Sequence, residues 1–194
     1  MSRDRRIITG IYGGSFNPIH DGHTRLGREL CRMGLVDELW FVVSPHNPHK
    51  AQADLLPDEA RLALARLAIE EDATLRVSDV EFRLPRPSYM VTTLETLRRE
   101  HPQREFVLVM GADNWARFPL WYQYKEILRH HRLIVYPRPG YALQDLPPGV
   151  TATDTPLIPL SSTDIRNSIH EGTFAGQGLH PSVWNEINKK GYYR

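Results

Sequence analysis

Residues 12–23 read YGGSFNPIHDGH, setting two glycines, a proline and two histidines between an apolar run and a run of helical spacing. The preceding run, IITGIYG (7–13), is rich in β-branched residues and ends at glycine, as a buried strand does. The following run, GHTRLGRELCRMGL (22–35), spaces Leu26, Leu30 and Met33 as one helix face, with Gly34 as its stop. A turn between strand and helix needs the glycines but gives no reason for His20 and His23. Gly13 and Gly14 let the backbone bend tightly and approach a ligand with no Cβ in the way. The free N–H groups at the entry of the next helix favour an anion. Two imidazoles three residues apart at that entry suit a phosphate, which would take their hydrogen bonds.

The alternation continues outward. ELWFVVS (38–44) reads as a second strand, and a proline-rich loop follows it. Pro57 opens a helix over DEARLALARLAIEED (58–72), LRVSDVEF (75–82) reads as a strand, and YMVTTLETLRREH (89–101) as a helix. EFVLVMG (105–111) is the clearest strand; a helix around WYQYKEILRHH (121–131) leads into the strand RLIVYPR (132–138). Residues 137–160, rich in Pro and Gly, read as loop with a short strand, and STDIRNSIH and SVWNEINKK as two terminal helices. Strands alternating with helices predict an α/β fold: a mainly parallel sheet with helices on both faces. In such sheets ligands sit beyond the carboxyl ends of the strands, where the quoted stretch falls.

Composition narrows the function classes. The chain has 194 residues, 41% hydrophobic and 24% charged, with a net charge of +1 and no basic block, which fits one globular domain and argues against a dedicated nucleic-acid binder. No stretch nears the roughly 18 apolar residues of a membrane span. The start, MSRDRRIITG, holds no long apolar core, so no signal peptide is expected and the cytoplasm is the expected compartment. Cys31 is the single cysteine, read as a small hydrophobe on a helix face, and excludes both an internal disulfide and a cysteine-rich metal site. The pairs His46/His49 and His130/His131 lack further ligands at supporting spacing.

A second stretch, PLSSTDIRNSI (159–169), contains Ser161-x-x-Asp164, a capping box that starts a helix. The cap does not explain Arg166. Near a helix start the dipole repels a cation, so Arg166 reaches either for an anionic ligand or for a surface ion pair. Two helix starts, one with paired histidines and one with an arginine, suit a triphosphate. Neither G-x-x-x-x-G-K-[ST] nor G-x-G-x-x-G is present.

GGSFNPIHDGH and SSTDIR together resemble the H-x-G-H nucleotidyltransferase superfamily and, within it, the bacterial nicotinate-nucleotide adenylyltransferases. VVSPHNPHK is similar to that family's P…PHK loop, EFRLPRPSYMVTTL to its E…R…SYT…DTL segment, and MGADNWARFPLWYQYKEIL to its GAD…LP.W…I segment. The matches run in order over about 150 residues.

The resemblance implies a Rossmann-like nucleotidyltransferase fold in one domain, 1–194, with C-terminal helices (about 161–194) carrying SSTDIR. It implies adenylyl transfer from ATP to nicotinate mononucleotide, giving deamido-NAD and pyrophosphate in NAD biosynthesis, by direct in-line attack with no covalent enzyme intermediate. On this chain Gly13, Gly14, Ser15 and Phe16 would line the ATP site with their backbone. His20 and His23 would bind the phosphates, His23 stabilising charge at the α-phosphate; Ser161, Ser162, Thr163 and Arg166 would hold the β- and γ-phosphates, and Lys50 would add positive charge beside the reacting groups. On the nicotinate side stand Asn17, Lys50, Met90, Asp113, Trp121 and Tyr122. Trp121, otherwise readable as a core aromatic, would stack on the pyridine ring, and backbone N–H groups near Met90 and Tyr122 would bind its carboxylate. Asp113 would shape the ribose and phosphate site, or else cap a loop. Mg²⁺ is expected on the ATP phosphates, largely hydrated, with no protein ligand. ATP and nicotinate mononucleotide are the expected partners, with no nucleic acid and no membrane; a homo-oligomer is left open.

The chain departs from the family pattern where Asn17 replaces an aspartate, Met90 a threonine and Thr92 an aspartate, and where SPHNPHK differs from the more frequent PPHK. Met90 bears on the choice between nicotinate and nicotinamide, because it falls where the carboxylate is expected. The phosphopantetheine adenylyltransferases are the nearest rival. A class I aminoacyl-tRNA synthetase fragment would need a KMSKS-type loop, which is absent, and a non-catalytic nucleotide sensor remains a third reading.

Overall fold

Strand β1 (Ile7–Gly14) lies inside a six-stranded sheet and sends alternate side chains into two apolar layers. The computed structural model describes residues 5–45, 55–156 and 158–194. The sheet also contains β2 (Glu38–Val43), β3 (Leu75–Ser78), β4 (Arg104–Gly111), β5 (Leu133–Tyr136) and β6 (Val150–Ala152), in the order β3-β2-β1-β4-β5-β6 with every pairing parallel. Period-two alternation places Tyr12, Leu39, Phe41, Val43, Val107, Val109 and Ile134 on one face. Ile11, Trp40, Val42, Phe106, Leu108, Met110 and Val135 occupy the other. Both faces are buried, which is why these strands read as continuous apolar runs.

Helices α1 (Asp21–Arg32), α2 (Asp58–Leu67), α6 (Ser162–His170) and α7 (Pro181–Lys190) cover the first face through Leu26, Leu30, Leu62, Ile165, Val183 and Ile187. Helices α3 (Met90–Glu100), α4 (Ala112–Arg117) and α5 (Tyr124–His130) cover the second through Val91, Leu94, Ala112 and Ile127. The expected α/β fold with helices on both faces is therefore present, and the strand order is the doubly wound one. No helix among the described residues is long and apolar enough to cross a membrane.

Four local expectations are corrected. The strand expected over 75–82 stops at Ser78 and gives way to a 3-10 turn, Val80–Arg83, because Val80 and Glu81 are both buried where an extended strand would turn one of them outward. The helix expected from Trp121 starts only at Tyr124, after Gln123 in a left-handed conformation (φ 52°), and a short α4 precedes it unannounced. The helix expected over 58–72 ends at Leu67, with Pro57 just outside it as N-cap. Met33 lies at the C-cap of α1 and is exposed, because Gly34 at φ 69° has already ended the helix.

This distinction is measurable in urea. Leu30→Ala removes a fully buried side chain and is expected to cost about 2–5 kcal/mol. Met33→Ala, three residues on, is expected to stay within about 0.5 kcal/mol of wild type. Equal costs would show that Met33 belongs to the core.

Candidate active site

The chain leaves β1 at Gly14, passes Phe16 in a positive-φ conformation (46°) and enters α1 at its N-cap, His20. The His20 and His23 rings stack at 3.7 Å with 23° between their planes. Gly22 makes this possible: a Cβ there would stand 2.9 Å from the His20 ring. The backbone N–H of His20 donates to His23 Nδ1 at 3.2 Å, so Nδ1 carries a lone pair and the neutral ring bears its proton on Nε2. Phe16 packs edge-on against His23 at 5.1 Å. Burial, followed by Arg138 nearby, lowers the pKa of His20 to about 4; burial, then His20 and Arg138, lowers that of His23 well below its usual value. Both rings are neutral at pH 7. His20 Nδ1 is buried with no hydrogen-bond partner among the described residues.

The turn is fastened through its carbonyl oxygens. Arg61, fully buried, donates to the Ser15 carbonyl, to the Leu56 carbonyl at 3.1 Å and to Asp58 at 2.6 Å. Arg166 donates to the Asn17 carbonyl at 2.9 Å and Ser162 Oγ to the Pro18 carbonyl at 2.9 Å, joining two stretches more than 140 residues apart in sequence. The α1 entry is tied as well, Asp21 N–H donating to the Gly178 carbonyl at 2.8 Å.

Two cavities flank this turn at the carboxyl end of the sheet. One, of about 470 Å³, is walled by Tyr12, His20, His23, Tyr136, Arg138 and Leu160 among others. There the Tyr12 and Tyr136 hydroxyls meet at 2.8 Å, and Arg138 donates to Tyr136 at 3.3 Å. The other, of about 680 Å³, is walled by Gly13, Gly14, Ser15, Glu81, Met90, Trp121 and Tyr122 among others. Gly13 has no Cβ to obstruct Met90, whose methyl group would lie 2.8 Å from it. Tyr89 and Tyr122, both exposed, face each other at 4.5 Å on the wall of that cavity. Both volumes are of the size that takes a nucleotide-sized ligand.

The expected residues distribute unevenly. His20, His23 and Ser161 line the smaller cavity, and Gly13, Gly14, Ser15, Met90, Trp121 and Tyr122 the larger. Phe16 has its ring in the core. Ser162, Thr163 and Arg166 wall neither cavity; Arg166 also donates toward Thr163 at 3.4 Å, and its Nε is buried with no partner among the described residues. Asn17, expected on the nicotinate side, walls neither cavity; its side-chain oxygen accepts from Leu56 N–H at 3.2 Å and Tyr193 OH at 2.8 Å, and the residue is 4% exposed. Asp113, expected on the same side, stands in the first turn of α4 with Oδ1 3.6 Å from Arg138 Nε and walls neither cavity. Lys50 and the pair His46/His49 lie outside the described residues.

Sequence reading missed Arg138, Tyr136, Asn114, Glu81 and Arg86. Arg138 had a signal: it follows a parallel strand at its carboxyl end, between two prolines. Among the described residues no group of three or more His, Cys, Asp or Glu could hold a metal ion. His131 Nδ1 lies 3.2 Å from the Phe106 carbonyl, and His130 Nε2 3.5 Å from Glu126.

The lowered imidazole pKa values have a consequence for the ligand-free protein. Between about pH 4 and 6.5 the unfolded chain binds protons that folded His20 does not, so these rings stabilise the fold above that window and the contribution is lost as pH falls through it. The thermal midpoint is expected to drop between about pH 7.5 and 5, and to drop less in His20→Asn. Identical drops in the two proteins would show that His20 is not held neutral.

The cytidylyltransferase-like family model matches residues 11–168. A Bacteroides fragilis (strain YCH46) protein named "Probable nicotinate-nucleotide adenylyltransferase" is 50% identical over 181 residues, 92% of this chain and 90% of its own length. A Bacteroides thetaiotaomicron protein of the same name is 47% identical over 97% of this chain and 95% of its own. In fold, the Plasmodium falciparum nicotinic acid mononucleotide adenylyltransferase complexed with NaAD superposes with a TM-score of 0.79 at 18% identity, over 96% of this chain and 97% of that one. Across nearly its whole length, then, with its glycine turn and paired histidines in place, the chain belongs to the nicotinate-nucleotide adenylyltransferases of the cytidylyltransferase-like family.

Proposed function

We propose that the chain transfers the adenylyl group of ATP to the 5′-phosphate of nicotinate mononucleotide, giving deamido-NAD and pyrophosphate as a step of NAD biosynthesis. The observation that carries this reading is the pair of cavities sharing one glycine turn: Tyr12 faces one and Gly13, Gly14 and Ser15 the other. ATP occupies the smaller, with its α-phosphate at the imidazole pair. The mononucleotide occupies the larger, with its pyridine ring on Trp121 and its carboxylate at the backbone N–H groups of the α3 entry. A phosphate oxygen of the mononucleotide attacks the α-phosphorus in line. The new P–O bond forms as the bond to the β-phosphate breaks, and pyrophosphate carries away the electron pair. No protein nucleophile takes part.

The protein supplies position and charge. His23 Nε2–H donates to the α-phosphate, and because the ring is neutral in the free protein, a bound polyanion raises its pKa and strengthens that bond. Arg166 and Ser162, which in the free chain hold the Asn17 and Pro18 carbonyls and wall neither cavity, would exchange those bonds for the β- and γ-phosphates, and Lys50 would add positive charge. Mg²⁺ carried in by the ATP phosphates would neutralise part of their charge, held by ATP and water. The catalytic domain spans 1–194, since Ile165, Ile169, Val183 and Ile187 of the terminal helices share the core of the sheet. An enzyme of this kind works in the cytoplasm.

Pyrophosphate release with Mg²⁺-ATP and, in parallel, nicotinate mononucleotide, nicotinamide mononucleotide or phosphopantetheine tests the reading. A kcat/KM at least about tenfold higher for nicotinate mononucleotide is expected, equivalent to about 1.4 kcal/mol. Preference for nicotinamide mononucleotide would overturn the acceptor, and no release with any of them the reaction. His23→Ala is expected to lower kcat by about 10²–10³-fold with the fold intact. Trp121→Ala is expected to raise the mononucleotide KM by about tenfold and to leave the ATP KM near wild type.

A further inference from the structure

Glu81 is a carboxylate in an unusual place. It is 3% exposed and walls the larger cavity, yet among the described residues it forms no ion pair. Arg86, the one cation on that wall among the described residues, is engaged by Asp58 at 3.1 Å. Hydroxyl groups from separate segments take the place of a counter-ion. Thr93 Oγ1, in the first turn of α3, donates to Oε1 at 2.8 Å. Ser88 Oγ, just before α3, donates to Oε2 at 3.0 Å. The Ser44 side chain, at the end of β2, is a third partner. Burial pushes the Glu81 pKa up, and these hydroxyls pull it back by favouring the ionised form.

Both Glu81 oxygens accept, Oε1 from Thr93 and Oε2 from Ser88, and a carboxylate has room for several donors. One side chain thus fastens the α3 entry to the edge of the sheet. Between its anchors Ser88 and Thr93 lies Met90, whose methyl group packs where Gly13 has no Cβ. Displacing the α3 entry therefore displaces the surface that meets the glycine turn.

We propose that Glu81 is a positioning residue of the acceptor site: by gathering Ser44, Ser88 and Thr93 it sets the α3 entry, with its N–H groups and Met90, against Gly13. This rests on the adenylyl-transfer reading of the larger cavity. The ATP side is built from other groups, and none of the three hydroxyls walls it. Glu81→Gln keeps the volume and one acceptor oxygen but turns an NH₂ group toward the hydroxyls. Thr93 then has a second acceptor for its own proton in the Tyr89 carbonyl, 3.3 Å away, so the fold has an alternative pairing while the α3 entry loses its fixed place.

The experiment measures steady-state kinetics of the full chain, with Glu81→Gln and Thr93→Val beside wild type and the thermal midpoint of each. Glu81→Gln is expected to raise the KM for nicotinate mononucleotide by about tenfold while the KM for ATP stays within about twofold. Thr93→Val, which removes one arm and keeps the volume, is expected to raise the acceptor KM by about threefold, and adding it to Glu81→Gln is expected to change little, as for residues acting through one contact. An acceptor KM within about twofold of wild type in both variants overturns the proposal, and so does an equal rise for both substrates. Thr93→Val carries the test by itself if Glu81→Gln does not fold. No pyrophosphate release by the wild-type chain would instead overturn the adenylyl-transfer reading.

Discussion

Strands β1 and β4 are hydrogen-bonded neighbours, yet the helices that follow them leave for opposite faces of the sheet. That divergence opens a crevice at their carboxyl ends which no helix can fill, since filling it would require a reversed crossover. Much of what is chemically active in the chain is arranged around that crevice. The glycine turn ends β1, Arg138 follows β5, and the α3 entry approaches from the second face. A larger side chain at Gly13 would press on Met90, and one at Gly22 would displace His20, so two glycines decide whether the walls can close.

Buried charge is concentrated at both ends of the sheet and handled differently at each. At the amino end Glu38 accepts from Thr9 at 2.8 Å, Arg104 at 2.7 Å and Arg76 at 3.0 Å, linking four strands through one carboxylate. At the carboxyl end Arg61 is spent on backbone carbonyls and Asp58, and Glu81 on hydroxyls. A buried charge with several partners holds its surroundings in one geometry, because each partner would be left unpaired by a shift. The imidazole pair is the contrast: it is neutral, and His20 Nδ1 is buried with no partner among the described residues.

The joining of the two motifs gives this arrangement its function. Ser162 and Arg166 belong to a helix that the chain makes late, but their donors grip the Pro18 and Asn17 carbonyls of a turn it makes early. A trans peptide points its N–H opposite to its carbonyl, so fixing the Ser15 and Pro18 oxygens also fixes the direction of the Phe16 and Ile19 N–H groups. On the proposed reading, phosphate binding at this turn would draw on geometry already established by folding, which would reduce what must be ordered when substrate arrives.

The sequence by itself determined the elements that periodicity and punctuation specify. Strand β1 and the helix at 162–170 stand within a residue of where the pattern put them, and Gly34 ends α1 as read. The histidine pair was legible because a helix entry is a local structure with known free donors. Assignments that required knowing what lies across space were not legible. That Asn17 Oδ1 accepts from Leu56 and Tyr193, both distant in the chain, is one of these. Met33 keeps the helical spacing of Leu26 and Leu30 yet is exposed, because spacing carries no information on where a helix stops relative to the sheet beneath it. Glu81 and Arg138 drew no role from the chain's linear order; burial, three converging hydroxyls and the end of a parallel strand define them. Local conformation follows from short-range sterics and solvation, which a sequence displays; a site is made of groups from separate segments, and only the tertiary fold brings those within hydrogen-bonding distance.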